Sequence, residues 1–228
     1  DRVIEAIETA HRTNINAVFV QVRGRGDAYY ESTLVPGPDD LAPLSFDPLA
    51  LVIQEAHQRG LEVHAWVNVY LTWHPTDRVP SSPNHLLNRH PEWFMTSADG
   101  IDMGSKVLGQ VDLIRRGVEG RYLSPGVPEV REHIARVVRE LVEKYDIDGI
   151  HLDYVRYPNV HYDYNLINRA EFSRRYGFDP KKVVDGEPHL EESLQVRRRK
   201  VWEKWRTDQV TMLVEQIRDT ISEMKPRV

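Results

Sequence analysis

The sequence predicts an α/β fold, a TIM-type (β/α) barrel that is incomplete in this chain. Helical apolar patterns alternate with short apolar runs typical of buried strands, and this order specifies a parallel sheet. Links from helix to strand are short, whereas links from strand to helix are long and cover roughly residues 24–46, 69–118 and 156–168. Long loops on one face are typical of barrel enzymes. An open doubly wound sheet is the alternative, but no glycine-rich phosphate turn follows any strand.

Two helix–strand pairs open the chain. Apolar residues recur at helical spacing near the N-terminus, and the apolar run 17–23 that follows predicts a buried strand. Asp47 and Pro48 supply an N-cap and a first-turn proline for the next helix, which Gly60 ends before the strand 61–68. The second pair therefore repeats the first.

The same pattern continues in the second half of the chain. A helix that begins at Pro128 leads into the strand 148–154, and a short strand is predicted before it at 121–124. A long helix follows over residues 194–221, and Pro226 is expected to stop it. The sequence thus predicts four strands.

A closed barrel has eight strands, more than the sequence predicts here. We therefore expect a first strand before Asp1 and about three more after Val228 in the whole protein. On this interpretation residues 1–228 are part of a single (β/α)-barrel domain.

Composition narrows the possible functions. The 228 residues are 40% hydrophobic and 29% charged, as in ordinary soluble domains. The net charge of −5 gives no general attraction for phosphate, so we expect no nucleic-acid partner. The absence of cysteine excludes disulfides and thiolate metal sites. No apolar run approaches the roughly 20 residues of a membrane span, and we expect any targeting segment to lie outside this chain.

Polar residues share one face of the predicted strands, close to their C-terminal ends. Because side chains alternate along a strand, this face carries Gln21, Arg23, His64, Trp66, Asn68, His151 and Asp153. Apolar residues hold the other parity, where a barrel strand packs against helices. Burying these polar groups costs free energy unless they pair or meet a ligand, so this face predicts an active site. The alternative is a polar layer that only closes the barrel.

Aromatic residues are concentrated in the long loops. They are Tyr29, Tyr30, Tyr70, Trp73, Trp93, Phe94, Tyr154, Tyr157, Tyr162 and Tyr164. Such rings can stack on the apolar face of a pyranose, although loop rings also pack beneath their own loop. Together they predict a carbohydrate groove, and we expect Trp73, Trp93 or Tyr157 to line it.

Several segments carry a family resemblance. They are residues 17–23, 55–68, 122–126, 128–131 and 148–158. With these motifs the sequence resembles the bacterial glycosyl-hydrolase-like family 10 proteins over most of its length. The resemblance implies a barrel-fold glycosidase of the bacterial envelope that acts on peptidoglycan-type or other amino-sugar glycans. It therefore implies an extracytoplasmic location, whether secreted, periplasmic or anchored in the envelope.

The chain departs from two related patterns. Many members of that family have Asp at the position of Tyr154, so the role of that Asp cannot be transferred. Family 18 chitinases carry Asp-Gly-x-Asp-x-Asp-x-Glu on the strand of their catalytic acid, and Val155 stands here at the Glu position. A chitinase mechanism therefore fails, and Asp153 is the only carboxylate on the inward parity of its strand.

We predict that Asp153 and His151 are the catalytic residues of a glycoside hydrolase that cleaves O-glycosidic bonds in a polysaccharide. Such enzymes need a second carboxyl group unless the substrate's 2-acetamido group replaces it. Asp27 and Asp148 are candidates, but Asp148 lies early on its strand and is expected to be structural. The strands outside this chain are the other source. His151 can orient Asp153 or a sugar hydroxyl, and Arg23 can pair with the carboxylate and lower its pKa.

The remaining predicted site residues bind substrate. They lie at strand ends or in the long loops and are Arg23, His64, Asn68, Tyr70, Trp73, Tyr122, Tyr154, Arg156 and Tyr157. This hydrolysis requires no cofactor.

Two alternatives remain open. One is a metal-dependent hydrolase or deacetylase that uses His64, His74 and His151 with Asp153, although no His-x-His or His-Glu-x-x-His spacing is present. The other is a non-catalytic glycan-binding module, since a fold alone does not establish activity.

Overall fold

The computed structural model describes residues 2–39, 45–76, 78–186 and 190–225. Its strands are β1 (Ala17–Arg23), β2 (Glu62–Asn68), β3 (Leu71–Trp73), β4 (Arg121–Tyr122) and β5 (Gly149–Asp153). Its α-helices are α1 (Arg2–Arg12), α2 (Pro48–His57), α3 (Leu86–Arg89), α4 (Gln110–Arg115), α5 (Pro128–Lys144), α6 (Leu166–Tyr176), α7 (Pro180–Asp185) and α8 (Glu192–Met224). A short 3-10 helix spans Pro91–Trp93.

Strands β1, β2 and β5 form a parallel sheet in the order β1-β2-β5. The three strands predicted from apolar runs are therefore confirmed, as is their parallel direction. Four-residue links join α1 to β1 and α2 to β2, whereas β2 and α5 are separated by residues 69–127. The long connections thus all follow the C-terminal ends of the parallel strands.

The predicted fourth parallel strand is wrong in its pairing. β4 pairs antiparallel with β3 in a separate two-stranded sheet. The reason is that the chain continues past the end of β2, where the N–H of Val69 still donates to the carbonyl of Asp153. The segment after β4 then pairs with this extension, since the N–H of Leu123 donates to the carbonyl of Tyr70 at 2.8 Å. The described residues therefore form an α/β structure with three parallel strands, fewer than the eight of a closed barrel.

Helix α2 begins where the sequence predicts. The Oδ1 atom of Asp47 accepts hydrogen bonds from the N–H groups of Leu49 and Ala50, and Pro48 fills the first helical position. Gly60 has a φ of 73°, which a glycine adopts without steric cost in the tight link to β2.

Asp148 joins three elements at the N-terminal edge of the sheet. Its Oδ2 atom accepts a hydrogen bond from the N–H of Val63 on β2 at 2.7 Å and lies 2.9 Å from Nε2 of His57 on α2. Asp148 therefore holds the start of β5 against α2 and β2, which confirms the expected structural role.

The core lies on the helix-covered side of the sheet. Val63, Ala65 and Val67 of β2 are fully buried there, as the alternation predicts. Helix α5 buries its apolar stripe in the same core, and Leu213 and Ile217 of α8 join it from outside. Helix α8 covers the predicted range 194–221, and its expected end at Pro226 lies outside the described residues.

A second apolar cluster lies where α8 packs beneath the loop after β5. Trp202 and Trp205 stack with ring centroids 5.0 Å apart, and Phe172 of α6 contacts both. Among the described helices, none combines the length and apolar character needed to cross a membrane.

Candidate functional site

The accessible face of the parallel sheet carries a layer of rings. Phe19 pairs in register with His64, and Trp66 pairs with His151. The Phe19 ring stacks on His64 with centroids 5.0 Å apart and meets His151 edge-on at 5.3 Å. His151 also contacts Trp66 edge-on at 5.8 Å. Phe19 is 57% exposed in this chain, and in a closed barrel the inward side chains of the other strands pack on such mid-strand residues. We call Phe19, His64, Trp66 and His151 the ring layer.

Asp153 lies at the end of β5, one row beyond the ring layer and beside Asn68 of β2. Its Oδ1 atom accepts a hydrogen bond from the N–H of Tyr154 at 2.7 Å. Tyr154 has a φ of 50°, in the left-handed region, so the chain turns sharply directly after the carboxylate. Asp153 is half-buried. Its orientation is therefore fixed while it remains accessible.

His151 shares a face with Asp153, as their spacing predicts. It is exposed, and its recorded contacts are with the rings of Phe19 and Trp66 rather than with the Asp153 carboxylate. The expected role of orienting Asp153 thus has no hydrogen bond behind it in the structure, and contact with a sugar hydroxyl stays a prediction.

The prediction that Arg23 pairs with Asp153 is not fulfilled. The register shifts between Gln21 and Arg23, which pairs Arg23 with Val67 on the helix-covered face. Arg23 is fully buried, and its Nη1 atom donates to the carbonyls of Asn68 and Val69. Burial lowers the pKa of Arg23 to about 10, although the nearby Asp27 carboxylate raises it. A β-bulge thus turns the guanidinium away from the accessible face.

Asn68 stays next to Asp153 but is committed to structure. Its Oδ1 atom accepts a hydrogen bond from Nε1 of Trp66 at 2.9 Å, and its Nδ2 atom donates to the carbonyl of Gly24 at 2.8 Å. Asn68 therefore fixes the Trp66 ring and the loop after β1, and its contact with a substrate stays a prediction.

A charged cluster that the sequence did not reveal lies around Tyr154. The hydroxyl of Tyr122 donates to Glu119 at 2.9 Å, and Arg156 donates to the same carboxylate at 2.7 Å. The Arg156 guanidinium lies 5.4 Å from the centroid of Tyr154, whose ring meets Tyr122 edge-on. Partial burial raises the pKa of Glu119, but the hydrogen bonds from Arg156 and Tyr122 outweigh it and hold the pKa below its ordinary value.

Glu119 was missed because no periodicity or motif marks it. It lies in the link before β4, and its ion-pair partner Arg156 is 37 residues further along the chain, although Tyr122 is only three residues away. Glu119, Tyr122, Tyr154 and Arg156 form what we call the Glu119 cluster. Tyr154 directly follows Asp153, so the cluster connects Glu119 to the predicted site through the rings of Tyr122 and Tyr154.

Several rings predicted to bind sugar lie in the protein interior. Tyr70 and Tyr122 are fully buried, and Trp73 is only 5% exposed, with Nε1 donating to the carbonyl of Arg78. Tyr157 is half-buried and donates its hydroxyl to the carbonyl of Arg206 on α8. A buried ring does not suit stacking on a sugar, because its faces are already covered. Tyr70, Tyr122 and Trp73 therefore act as packing residues, whereas Tyr157 keeps part of its surface exposed.

His64 depends on Gly149 for its place in the ring layer. The two residues are register partners, and a Cβ atom at Gly149 would overlap the His64 imidazole. The Nε2 atom of His64 lies 3.2 Å from the Glu62 carboxylate. Asp148 thus connects the strands by hydrogen bonding to β2, and the next residue, Gly149, leaves room for the His64 imidazole.

The donor set of the metal hypothesis is not assembled. It requires His64, His74 and His151 to approach Asp153, yet within the described ranges no group of three or more His, Cys, Asp or Glu side chains could hold a metal ion. His74 packs against the Trp73 ring instead.

Asp27, a candidate second carboxyl group, lies inside the first long loop. It is only 2% exposed, and its Oδ1 atom accepts a hydrogen bond from the N–H of Arg25 at 2.7 Å. This local bond orders the turn after β1, so Asp27 is positioned as a loop anchor.

Asp163 is a fully buried acid in the loop after β5. Its carboxylate accepts hydrogen bonds from the N–H of Thr96 at 3.1 Å and from Nδ2 of Asn168 at 2.8 Å. Burial raises the pKa of Asp163 to about 6, although bonds from Ser124 and Thr96 lower it. Asp163 joins the loops after β2 and β5 and has no exposed surface for a substrate.

Comparison with known proteins identifies the family of this chain. The family model for glycosyl hydrolase-like 10 matches residues 1–228. The chain is 30% identical to glycosyl hydrolase YngK of Bacillus subtilis over 231 residues. That alignment covers 99% of this chain and 38% of the relative. It is 26% identical to glycosyl hydrolase DigH of Escherichia coli K12 over 243 residues, an alignment that covers 99% of this chain and 45% of that relative. The chain therefore spans less than half the length of these curated relatives.

Solved structures share the fold at lower identity. The glycoside hydrolase domain of PgaB (BpsB) from Bordetella bronchiseptica aligns with a TM-score of 0.65 and 16% identity over 98% of this chain and 56% of that one. An α-L-fucosidase isoenzyme from Paenibacillus thiaminolyticus aligns with a TM-score of 0.62 and 21% identity. This alignment covers 99% of this chain and 28% of the fucosidase. With a family model matched along its whole length, this chain belongs to the glycosyl hydrolase-like 10 family.

Proposed function

We propose that this chain forms part of the active site of a glycoside hydrolase that cleaves O-glycosidic bonds in a polysaccharide. The observation that carries the proposal is the position of Asp153, a fixed and accessible carboxylate at the C-terminal end of a parallel strand. Catalytic groups of (β/α) barrels come from these strand ends. We therefore take β1, β2 and β5 as consecutive parts of a TIM-type barrel in the whole protein.

The ring layer supports binding of a sugar. Trp66 and His151, the rings of this layer nearest the C-terminal strand ends, present apolar ring surface beside polar edges next to the Asn68–Asp153 row. A pyranose has an apolar face and a rim of hydroxyls, which such a surface complements. Asp153, one row further on, would then lie near the bond that joins two sugar units.

Asp153 has two ways to act. With a second carboxyl group it serves as one member of the usual pair, and with a 2-acetamido sugar the substrate supplies the second group itself. Glu119 is a carboxylate that this chain can contribute, since it reaches the Asp153 region through Tyr122 and Tyr154. Its lowered pKa keeps it ionised and paired with Arg156, which suits holding Arg156 and Tyr122 in place rather than donating a proton.

The substrate class we propose is an amino-sugar glycan of the bacterial cell envelope, such as peptidoglycan strands. Support comes from membership in a family whose relatives are named glycosyl hydrolases in two bacteria. We accordingly place the activity outside the cytoplasm, where that glycan lies.

The test is to incubate the protein with amino-sugar and neutral glycans and to analyse products by mass. Shortened amino-sugar chains would support the proposal, and cleavage of neutral glycans alone would contradict the substrate class. Glycan that binds and stays intact would favour a binding module. Failure to bind any glycan would overturn both.

A further inference from the structure

A basic pocket lies on the helix side of the molecule, between α5 and the loops after β1 and β2. It has a volume of about 160 Å³ and is lined by His133 and Arg136 of α5, Arg89 at the end of α3, and His90 and Trp93 just beyond it. A cavity of this size holds several water molecules or one oxyanion with part of its hydration. None of these residues belongs to the ring layer or the Glu119 cluster.

His133 is the buried donor of the pocket. The residue is only 6% exposed, and its Nε2 atom is buried without a hydrogen-bond partner. An unpaired buried polar atom costs free energy comparable to a lost hydrogen bond. A ligand that accepts a hydrogen bond from this ring nitrogen would remove that cost.

The charge around His133 has one sign. Burial, and after it the positive charges of Arg23, Arg136, His90 and Arg89, together lower the pKa of His133 to about 3. Within the described ranges, the side chains of Arg89 and Arg136 make no recorded ion pair or hydrogen bond, and the pocket lining contains no carboxylate. Glu92 pairs with His90, whereas the guanidinium groups of Arg89 and Arg136 give the pocket a positive potential that favours an anion.

Trp93 and His90 give the pocket a flat wall. Their rings stack with centroids 3.9 Å apart and an interplanar angle of 8°, and Trp93 also contacts His133. Nδ1 of His90 lies 3.1 Å from the Glu92 carboxylate, which fixes the ring. The wall is thus held in place before any ligand enters.

We propose that this pocket is an oxyanion-binding site, which takes the phosphate or carboxylate group of a ligand between Arg89, Arg136 and His133. The two guanidinium groups supply paired N–H donors, and the imidazole supplies the buried one. The group could belong to a free small anion or to an acidic substituent on a glycan. The site does not depend on the proposed hydrolysis.

Inorganic phosphate is the probe, added at constant ionic strength with chloride as the balancing salt. We expect saturable changes in the NMR signals of the His133 and His90 rings and a rise in the pKa of His133, because a bound anion favours its charged form. Arg136→Gln and Arg89→Gln should each weaken phosphate binding about tenfold or more, since each removes a charge-assisted hydrogen bond.

Arg139→Gln is the matched control, because it removes the same charge from the same helix outside the pocket lining. Equal weakening by Arg139→Gln and Arg136→Gln, or shifts that never saturate, would overturn the site. An acidic oligosaccharide that competes with phosphate, when its neutral counterpart does not, would assign the anion to a glycan. Competition by acetate alone would assign it to a free small acid.

Discussion

Asn68 and Asp153 face each other across the C-terminal ends of β2 and β5. Asn68 is buried and bonded to Trp66 and Gly24, whereas Asp153 is half-buried and turned toward the accessible face. The pair thus divides two tasks, because Asn68 supports the ring layer and the carboxylate beside it remains available for chemistry.

Asp153→Asn should abolish turnover while glycan binding is largely retained. The substitution keeps the shape and the acceptor for the Tyr154 amide but removes the charge and the capacity to transfer a proton. Loss of general acid–base catalysis alone costs about 10²- to 10⁴-fold in rate. Steady-state rates and binding of the same glycan would be compared. Asp148→Asn serves as the control and should lower stability, since it weakens the link to Val63 and His57. A rate above about a tenth of wild type would exclude Asp153 as the catalytic carboxylate.

Gly149→Ala should destabilise the protein through His64. The added Cβ atom overlaps the imidazole, and overpacking of this kind typically costs about 1–3 kcal/mol. His64→Ala removes the obstacle, so the double variant should be more stable than the sum of the single changes predicts. Urea unfolding of the four proteins measures this coupling. Strict additivity would show that the clash is relieved elsewhere.

Glu140→Gln should make the protein less sensitive to acid. Glu140 accepts hydrogen bonds from Ser32, from Thr33 and from Lys144. Burial raises its pKa, but these bonds outweigh burial and lower the pKa from 4.5 to about 2. Because the pKa is depressed on folding, the stabilisation is complete above the unfolded value of 4.5 and is lost as the pH falls through about 2.

The size of that effect is on the order of 3 kcal/mol. Unfolding free energies from pH 7 downward would be measured for wild type, Glu140→Gln and Glu143→Gln. Glu143 is exposed on the same helix, so its substitution should leave the loss of unfolding free energy at low pH unchanged. If Glu140→Gln lost as much unfolding free energy at low pH as wild type, Glu140 would not be the group responsible.

Asp163→Asn should remove a pH dependence of the opposite sign. Burial raises the pKa of Asp163 from 3.8 to about 6, so the folded state keeps a proton that the unfolded state releases. Stability therefore falls as the pH rises from about 4 to about 6, by an amount on the order of 2–3 kcal/mol. Denaturation of wild type and variant across this range tests the assignment. Identical slopes would show that Asp163 is not the titrating group.

The prediction of the fold from sequence succeeded wherever the signal was local. Apolar runs located β1, β2 and β5, and the Asp47 cap located the start of α2. The prediction of a parallel strand failed for β4, because its short sequence does not indicate which strand it pairs with. The partner is β3, about fifty residues earlier, and only long-range pairing decides between the two sheets.

The candidate site divides in the same way. Alternation alone put His64, Trp66, His151 and Asp153 on one face, because a strand turns successive side chains to opposite sides. The bulge that buries Arg23, the burial of the loop rings, and the contacts of Glu119 depend instead on atoms distant in sequence. The sequence by itself therefore determined that β1, β2 and β5 form and which of their side chains share one face. Tertiary structure decided which of those groups stay accessible, since burial and pairing follow from how separate segments pack.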